Sequence, residues 1–354
     1  MRDICKFVDL RNNPHISLIL FFDGANYYKS NNDPIHAFFS SIAELPPILR
    51  NSNSNIITHS LWCGSVPDFN VFLSIFNKSI EKIMINGVLI DQLKLNVTVE
   101  CHVCIADAPE RALLLNMNRF NGKFSCIMCM QEGENLNKNK RGNNHKFPYN
   151  AEQMKVRTQS KYMQQVYESV KYKKCVDGIK GASYLSNWIH LPSNIIIDYM
   201  HSCLLGTTKH MLNLWLSSRN NKEPFYLGRK IKKIDEILLN VKFPIEFPRK
   251  QRSISENISY FKASEYRNFL FYTGIAVLRN YLPEIYYNHF VEYVIFMRLL
   301  CNRNCQNQHI LTAFNIINTF MQKFEEFYGK TNMTFNLHSH LHLPEQVKKY
   351  LIIF

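Results

Sequence analysis

The chain is short of several things, and each shortage closes off a class of protein. No apolar run approaches the roughly 20 residues that a membrane-spanning helix needs, so no bilayer crossing is expected. The opening stretch MRDICKFVDL lacks an apolar core and a small-residue cleavage site, so no secretory signal is expected. Without such a signal the ten cysteines read as thiols or metal ligands rather than a disulfide framework, in a reducing compartment, cytosol or nucleus. Acidic side chains are also scarce. There are 28 Asp and Glu against 42 Lys and Arg, a formal net charge of +14 at pH 7. That surplus points to a polyanionic partner, nucleic acid before anionic membrane, with simple solubility as the plainer alternative. No internal repeat is visible.

What is present is globular: 354 residues, 46% hydrophobic and 13% aromatic, enough for one large or two ordinary domains with a sizeable core. HISLILFFDG (15–24) reads as a short buried strand ending at Asp23, with Gly24 marking a turn. NIITHSLWCG (55–64) is strand-like, and KLNVTVECHVCIAD (94–107) alternates as a half-buried strand ending at Asp107. Between these two, Asn70 is placed to cap a helix that Gly87 stops. Residues 131–150 are polar and read as a loop. From about residue 151 the period is helical, with candidates at 198–217, 229–241, 263–281, 284–302 and 307–328. The layout is a β-rich first third and an α-rich remainder.

Asp23 and Asp107 each end a strand, and carboxylates at the ends of neighbouring strands converge readily. Such a pair suits Mg²⁺ or Mn²⁺ and phosphodiester chemistry; strand-end turn formation is the competing reading. Cys126 and Cys129 are half of a zinc site. His338 and His342, at i and i+4 in NLHSHLHLPE, could supply the rest, against a strand of alternating surface imidazoles. Cys101 and Cys104 are poorer candidates, because alternation should send their thiols to opposite faces of a strand. Basic groups able to meet phosphates are Lys138, Lys140, Arg141 and Lys146 in the loop, Arg229, Lys230, Lys232 and Lys233 at a helix start, and Arg249, Lys250 and Arg252 near FPRKQR.

Five stretches together resemble the transposases of CACTA (En/Spm-like) DNA elements, over about residues 15–345 and in the family's order. They are LFFDGANYYKS…FFSSIAELPPILR, IADAPERALLLNMNRFNGKFSCIMC, IIIDYMHSCLLGTTKHMLNLW, FKASEYRNFLFY and FYGKTNMTFNLHSHLHL. That family is similar in turn to the catalytic core of the V(D)J recombinase. The resemblance implies an α/β, RNase H-like (DDE transposase) catalytic fold interrupted by a large, mostly helical, zinc-stapled insertion. It implies a catalytic core over 1–125, an insertion over 126–342, and the start of a return to the core over 343–354. Asp23 and Asp107 match the first two catalytic acids, which would hold Mg²⁺ or Mn²⁺. Cys126, Cys129, His338 and His342 match a structural zinc site. Asp198 and His201 match the family's Asp-x-x-His, and Glu265 belongs to a family motif without an assigned role. DNA strand cleavage and transfer on transposon ends and target DNA, in the nucleus, would follow. No small-molecule cofactor and no membrane are implied, and a homodimer stays open.

The family's third acid lies in an aromatic-rich segment after the histidine pair, whereas this chain ends HLPEQVKKYLIIF. An impaired catalytic centre in a truncated chain is therefore expected. A non-catalytic, zinc-containing DNA-binding protein and a fragment that does not fold stably are the alternatives.

Overall fold

The structure is a computed structural model and describes residues 10, 12–26, 34–64, 66–136, 145–152, 154–247 and 249–350. It is a mixed α/β protein with a central mixed sheet and a helical C-terminal region. The chain divides into two compact units, residues 1–130 with 155–196, and residues 131–154 with 197–354.

The first unit is built on the sheet. Strands β1 (His15–Asn26), β2 (Pro34–Ile42), β3 (Ile57–Cys63), β4 (Val88–Ile90) and β5 (Leu95–Ala106) lie in the order β3-β2-β1-β5-β4. β1 runs antiparallel to β2 and parallel to β5, with Phe22 opposite Ala106. Parallel neighbours need a crossover, which β3 and the helix Ser74–Asn86 provide. β1 does not end at Asp23. It runs on to Asn26, because Asp23 and Gly24 still pair with Ala37 and His36 of β2.

The helix before β4 begins on a different cap from the one expected. Asp68, not Asn70, accepts the Asn70 backbone N–H at 2.9 Å, and the short turn Phe69–Phe72 precedes Ser74–Asn86. Gly87 does end the helix, at φ +71°, a conformation that costs a residue without Cβ little. Cys101 and Cys104 do not part to opposite faces. A register shift between Leu18 and Ile19 skips His102 in the β1–β5 pairing, and both thiols join the core with Leu20, Phe22 and Phe38. Burial pushes the Cys101 thiol up to about 12, with the Glu100 charge adding, and raises that of Cys104 as well.

In the polar stretch 131–150, two-residue strands β6 (Glu134–Asn135) and β7 (His145–Lys146) pair antiparallel. Tyr162 of helix Gln159–Tyr172, together with Ile179, Leu185, Leu191 and Ile195, packs into the sheet's core, so residues 155–196 belong with the sheet. A short strand β8 (Ile195–Ile197) pairs with β5.

The second unit is helical. Glu284–Leu300 and Asn307–Tyr328 contribute Tyr293, Met297, Phe320 and Phe324 to its core, beside Trp215, whose indole N–H donates to the Tyr328 hydroxyl at 3.1 Å. The expected helix 198–217 is wider than an α-helix over Met200–Thr208, a π segment, and regular over Lys209–Leu216. A second π segment, Phe269–Thr273, interrupts 263–281. Residues 343–350 form a helix whose Leu343 and Val347 are buried in this same core.

His289 sits inside that core. Its ring stacks on Phe320 at 4.2 Å, and its Nε2–H donates to the Phe320 carbonyl at 3.0 Å. Burial lowers its pKa to about 4, and burial does the same to His59 in the first unit. A depressed imidazole pKa contributes stability that is complete above about pH 6.5 and is lost as pH falls towards 4. At pH 5 His289 should therefore cost about 2 kcal/mol relative to pH 7. Urea unfolding at the two pH values should show that drop, and His289→Asn should show a shallower one; equal slopes would remove His289 as a source.

Candidate functional site

Cys126, Cys129, His338 and His342 are all buried, and their ligand atoms lie within 4.8 Å of one another. Among the described residues no other such group of three or more His, Cys, Asp or Glu side chains is found. Neither cysteine is in a disulfide. They lie in a turn held by backbone pairs from the segment that follows it: Met130 N–H to Lys155 O at 2.9 Å and Arg157 N–H to Met128 O at 2.9 Å. His338 lies in the helix Phe335–Ser339, which Thr334 caps, and His342 one turn on. They are helical and buried, not alternating imidazoles on a strand. Phe147 stacks on the His338 ring at 5.0 Å, and the two Nε2 atoms stand 3.4 Å apart.

These residues fit zinc. Two nitrogens bound at 2.0–2.1 Å in a tetrahedron are about 3.4 Å apart, and two thiolates with two imidazoles are an ordinary structural zinc set. The group could hold a structural zinc. Bound there, the metal would supply a cross-link between residues far apart in sequence and no chemistry.

Arg157 was not singled out by its sequence, yet it supports the cysteine turn. It is 1% exposed, and its guanidinium donates to the carbonyls of Cys126 at 3.1 Å, Cys129 at 3.5 Å and Asp177 at 3.2 Å, and to the Gln165 side chain. Burial lowers its pKa, while the charges of Cys126, Cys129 and Asp177 oppose that shift. Burying a guanidinium is costly unless it is hydrogen-bonded, and here both terminal nitrogens have partners. Its local sequence, KVRTQS, reads as a polar helix start and does not mark it.

The two strand-end acids lie on neighbouring strands of the sheet. Asp23 follows Phe22, which pairs with Ala106, and Asp107 follows Ala106. Asp23 is exposed. Asp107 is half-buried and caps the helix Ala108–Leu114 by accepting the Glu110 N–H at 2.9 Å. Glu110, also passed over in the sequence, is buried, with Oε1 2.8 Å from Nδ1 of the equally buried His36. Burial raises the Glu110 carboxyl, the His36 pair counters this, and the charges of Asp107 and Asp23 raise it further. The three carboxyls therefore feel one another. A Cβ on Gly24 would stand 2.7 Å from Glu110 Oε1 and 3.1 Å from His36 Nδ1, so the pair closes over a position that only glycine leaves open. The signal was available: Asp-x-x-Glu at 107–110 has the spacing of a helix capping box.

The remaining candidates lie apart from these groups in role. Asp198 accepts the His201 backbone N–H at 2.9 Å and its Nδ1–H at 3.0 Å at the head of the π segment. Burial pushes the Asp198 carboxyl up, but the His201 hydrogen bonds hold it net below its ordinary value. Glu265 is fully buried, and both its oxygens are taken by Arg252 at 2.7 Å each, with the Lys262 N–H at 2.8 Å. That leaves neither Glu265 for a metal ion nor the Arg252 fork for a phosphate. Arg229, Lys230, Lys232, Lys233, Arg249 and Lys250 are exposed, and Lys146 is half-buried, its pKa lowered by burial. Lys138, Lys140 and Arg141 lie outside the described residues. No helix among the described residues is long and apolar enough to cross a membrane.

No protein-family model matches the chain, and a search of curated proteins found no match to it.

Chain expressed in zinc-supplemented medium should carry about one zinc per molecule by atomic emission, with Co²⁺ giving the visible bands of a tetrahedral thiolate site. Cys129→Ser and His338→Ala should each lose the metal, and Arg157→Met should weaken zinc affinity about 10- to 100-fold through the turn it supports. Unchanged metal content in Cys129→Ser would remove the site.

Proposed function

We propose that this chain is a DNA-processing protein of transposase lineage, with an RNase H-like sheet and its acids at Asp23 and Asp107. One observation carries the reading: the parallel pairing of β1 with β5, whose last pair, Phe22 with Ala106, is followed by an aspartate on each chain segment. The run β3-β2-β1-β5, antiparallel up to β1 and parallel from β1 to β5, supports the reading, with β4 and β8 both pairing with β5. The tetrad of Cys126, Cys129, His338 and His342 agrees with the zinc staple that the resemblance implies.

The donor set at the sheet edge suits a hard divalent cation. Asp23 is exposed, and the helix cap uses only Oδ1 of Asp107. Such a cation, when bound, would polarise a phosphodiester and lower the pKa of an attacking water. The chain's own part is to hold the two carboxylates at one edge. Gly24 leaves room for Glu110, which stands 2.8 Å from His36 Nδ1. Cleavage would be followed by attack of a freed 3′-hydroxyl on target DNA, in the nucleus.

A second reading, a non-catalytic DNA-binding protein, is favoured by the exposed cations Arg229, Lys230, Lys232 and Lys233 around the start of helix Ile231–Asn240. The net charge of +14 supports either reading.

Supercoiled plasmid incubated with the chain and Mn²⁺ should be nicked slowly, and Asp23→Asn should reduce nicking by at least about 100-fold. Nicking that survives Asp23→Asn would sink the catalytic reading. Salt-sensitive DNA binding without nicking would leave the second reading standing.

A further inference from the structure

The helical unit contains a cavity of about 420 Å³ whose charge is one-sided. Arg267, Arg298 and Arg303 line it, and no carboxylate does. All three arginines are exposed, and none has a carboxylate partner among the described residues. The other polar groups in the wall are neutral. Burial pushes the Cys301 thiol up to about 12, and burial likewise raises the Tyr199 phenol.

The wall is also unusual in backbone. Tyr199 immediately precedes the π segment Met200–Thr208, and Phe271 and Tyr272 lie within the π segment Phe269–Thr273. Wide helical turns of this kind are rare and concentrate at functional sites. Here the second one turns both rings to one cavity. Arg267 stacks over Phe271, 5.8 Å from its centroid, and Arg298 donates to the Phe271 carbonyl, so two of the three guanidinium groups are held in place. Arg303 lies in the turn after the helix Glu284–Leu300.

A guanidinium left without a carboxylate beside a cavity is suited to phosphate, which it grips in a fork that lysine cannot form. Tyr272 is 49% exposed, so one face remains for a flat ring, and base stacking on such a ring tolerates any sequence. The volume lies within the range of pockets that hold small ligands. The cationic surface continues outward. Phe247 packs edge-on against Tyr272 at 5.0 Å, and the Asn268 amide donates to the carbonyl of Arg249, itself exposed beside Lys250.

We propose that this cavity is a subsite for one unpaired nucleotide of a DNA strand, its phosphate met by Arg267 and Arg303 and its base laid on Tyr272. The assignment rests on the DNA reading above and adds a site of stated chemistry to it. A duplex keeps its bases stacked inside and can offer the cavity only phosphate, so unpaired strand should bind there more tightly.

The test measures anisotropy of a labelled 15-nucleotide thymidine strand, and of its duplex, with the full chain and three variants whose melting temperatures match the wild type. Arg303→Glu should weaken strand binding about tenfold or more and duplex binding less. Arg303→Lys should fall between, keeping charge without the fork. Arg219→Glu, an equal charge change at an exposed residue outside the cavity wall, should cost less than about twofold. Equal losses in Arg303→Glu and Arg219→Glu would overturn the subsite while leaving DNA binding intact. Thymidine monophosphate displacing the strand at a Kd equal to the strand's own would overturn the strand assignment in favour of a free nucleotide. No binding of either DNA by the wild type would overturn the DNA reading and this inference with it.

Discussion

The parallel pairing of β1 with β5 governs what the sheet can do. Because the two strands run the same way, Asp23 and Asp107, each one residue beyond the last pair of Phe22 with Ala106, arrive together. A slip of one residue would turn every side chain of β1 to the opposite face and part the two acids. The core of Leu20, Phe22, Cys104 and Ala106 opposes such a slip, since it would expose the apolar face. Everything beside the two acids follows: Asp107 starts a helix, Glu110 enters one turn later, and Gly24 leaves it room to meet His36.

Charge placement follows the same logic throughout the chain. Some guanidinium groups are committed to the chain's own acceptors, as buried Arg157 is to carbonyls and half-buried Arg252 is to both oxygens of buried Glu265. Those pairs hold turns and helix starts in place and are spent on structure. The excess cations remain outside, where their hydration is kept and their charge is available to a polyanion. The net charge alone does not tell the two kinds apart, and Arg252, placed by sequence among the phosphate contacts, belongs to the first.

Much of the helical architecture was legible, because helical period and caps are local. Asn307–Tyr328 coincides with its sequence-based bounds, and Gly87 stops its helix as expected. β2 was not legible. Its inward positions include His36 and Ser40 beside Phe38, and polar residues at buried positions blur the alternation that marks a strand. They are tolerated because His36 meets Glu110 and Ser40 meets the His59 ring at 2.8 Å. The shared face of Cys101 and Cys104 was hidden for a related reason: one unpaired residue in a ladder reverses the parity of all that follow.

By itself the sequence determined the types of the longer elements and the candidate zinc ligands, since each depends on residues a few positions apart. Only the tertiary structure decided that β1 lies beside β5, that Cys126 and Cys129 come within reach of His338 and His342, and that Glu110 shares the field of both aspartates. It alone decided which arginines are held in ion pairs and which line an open cavity. The reason is that burial and partnership are set by contacts between segments distant in the chain, and neither period nor spacing carries that information.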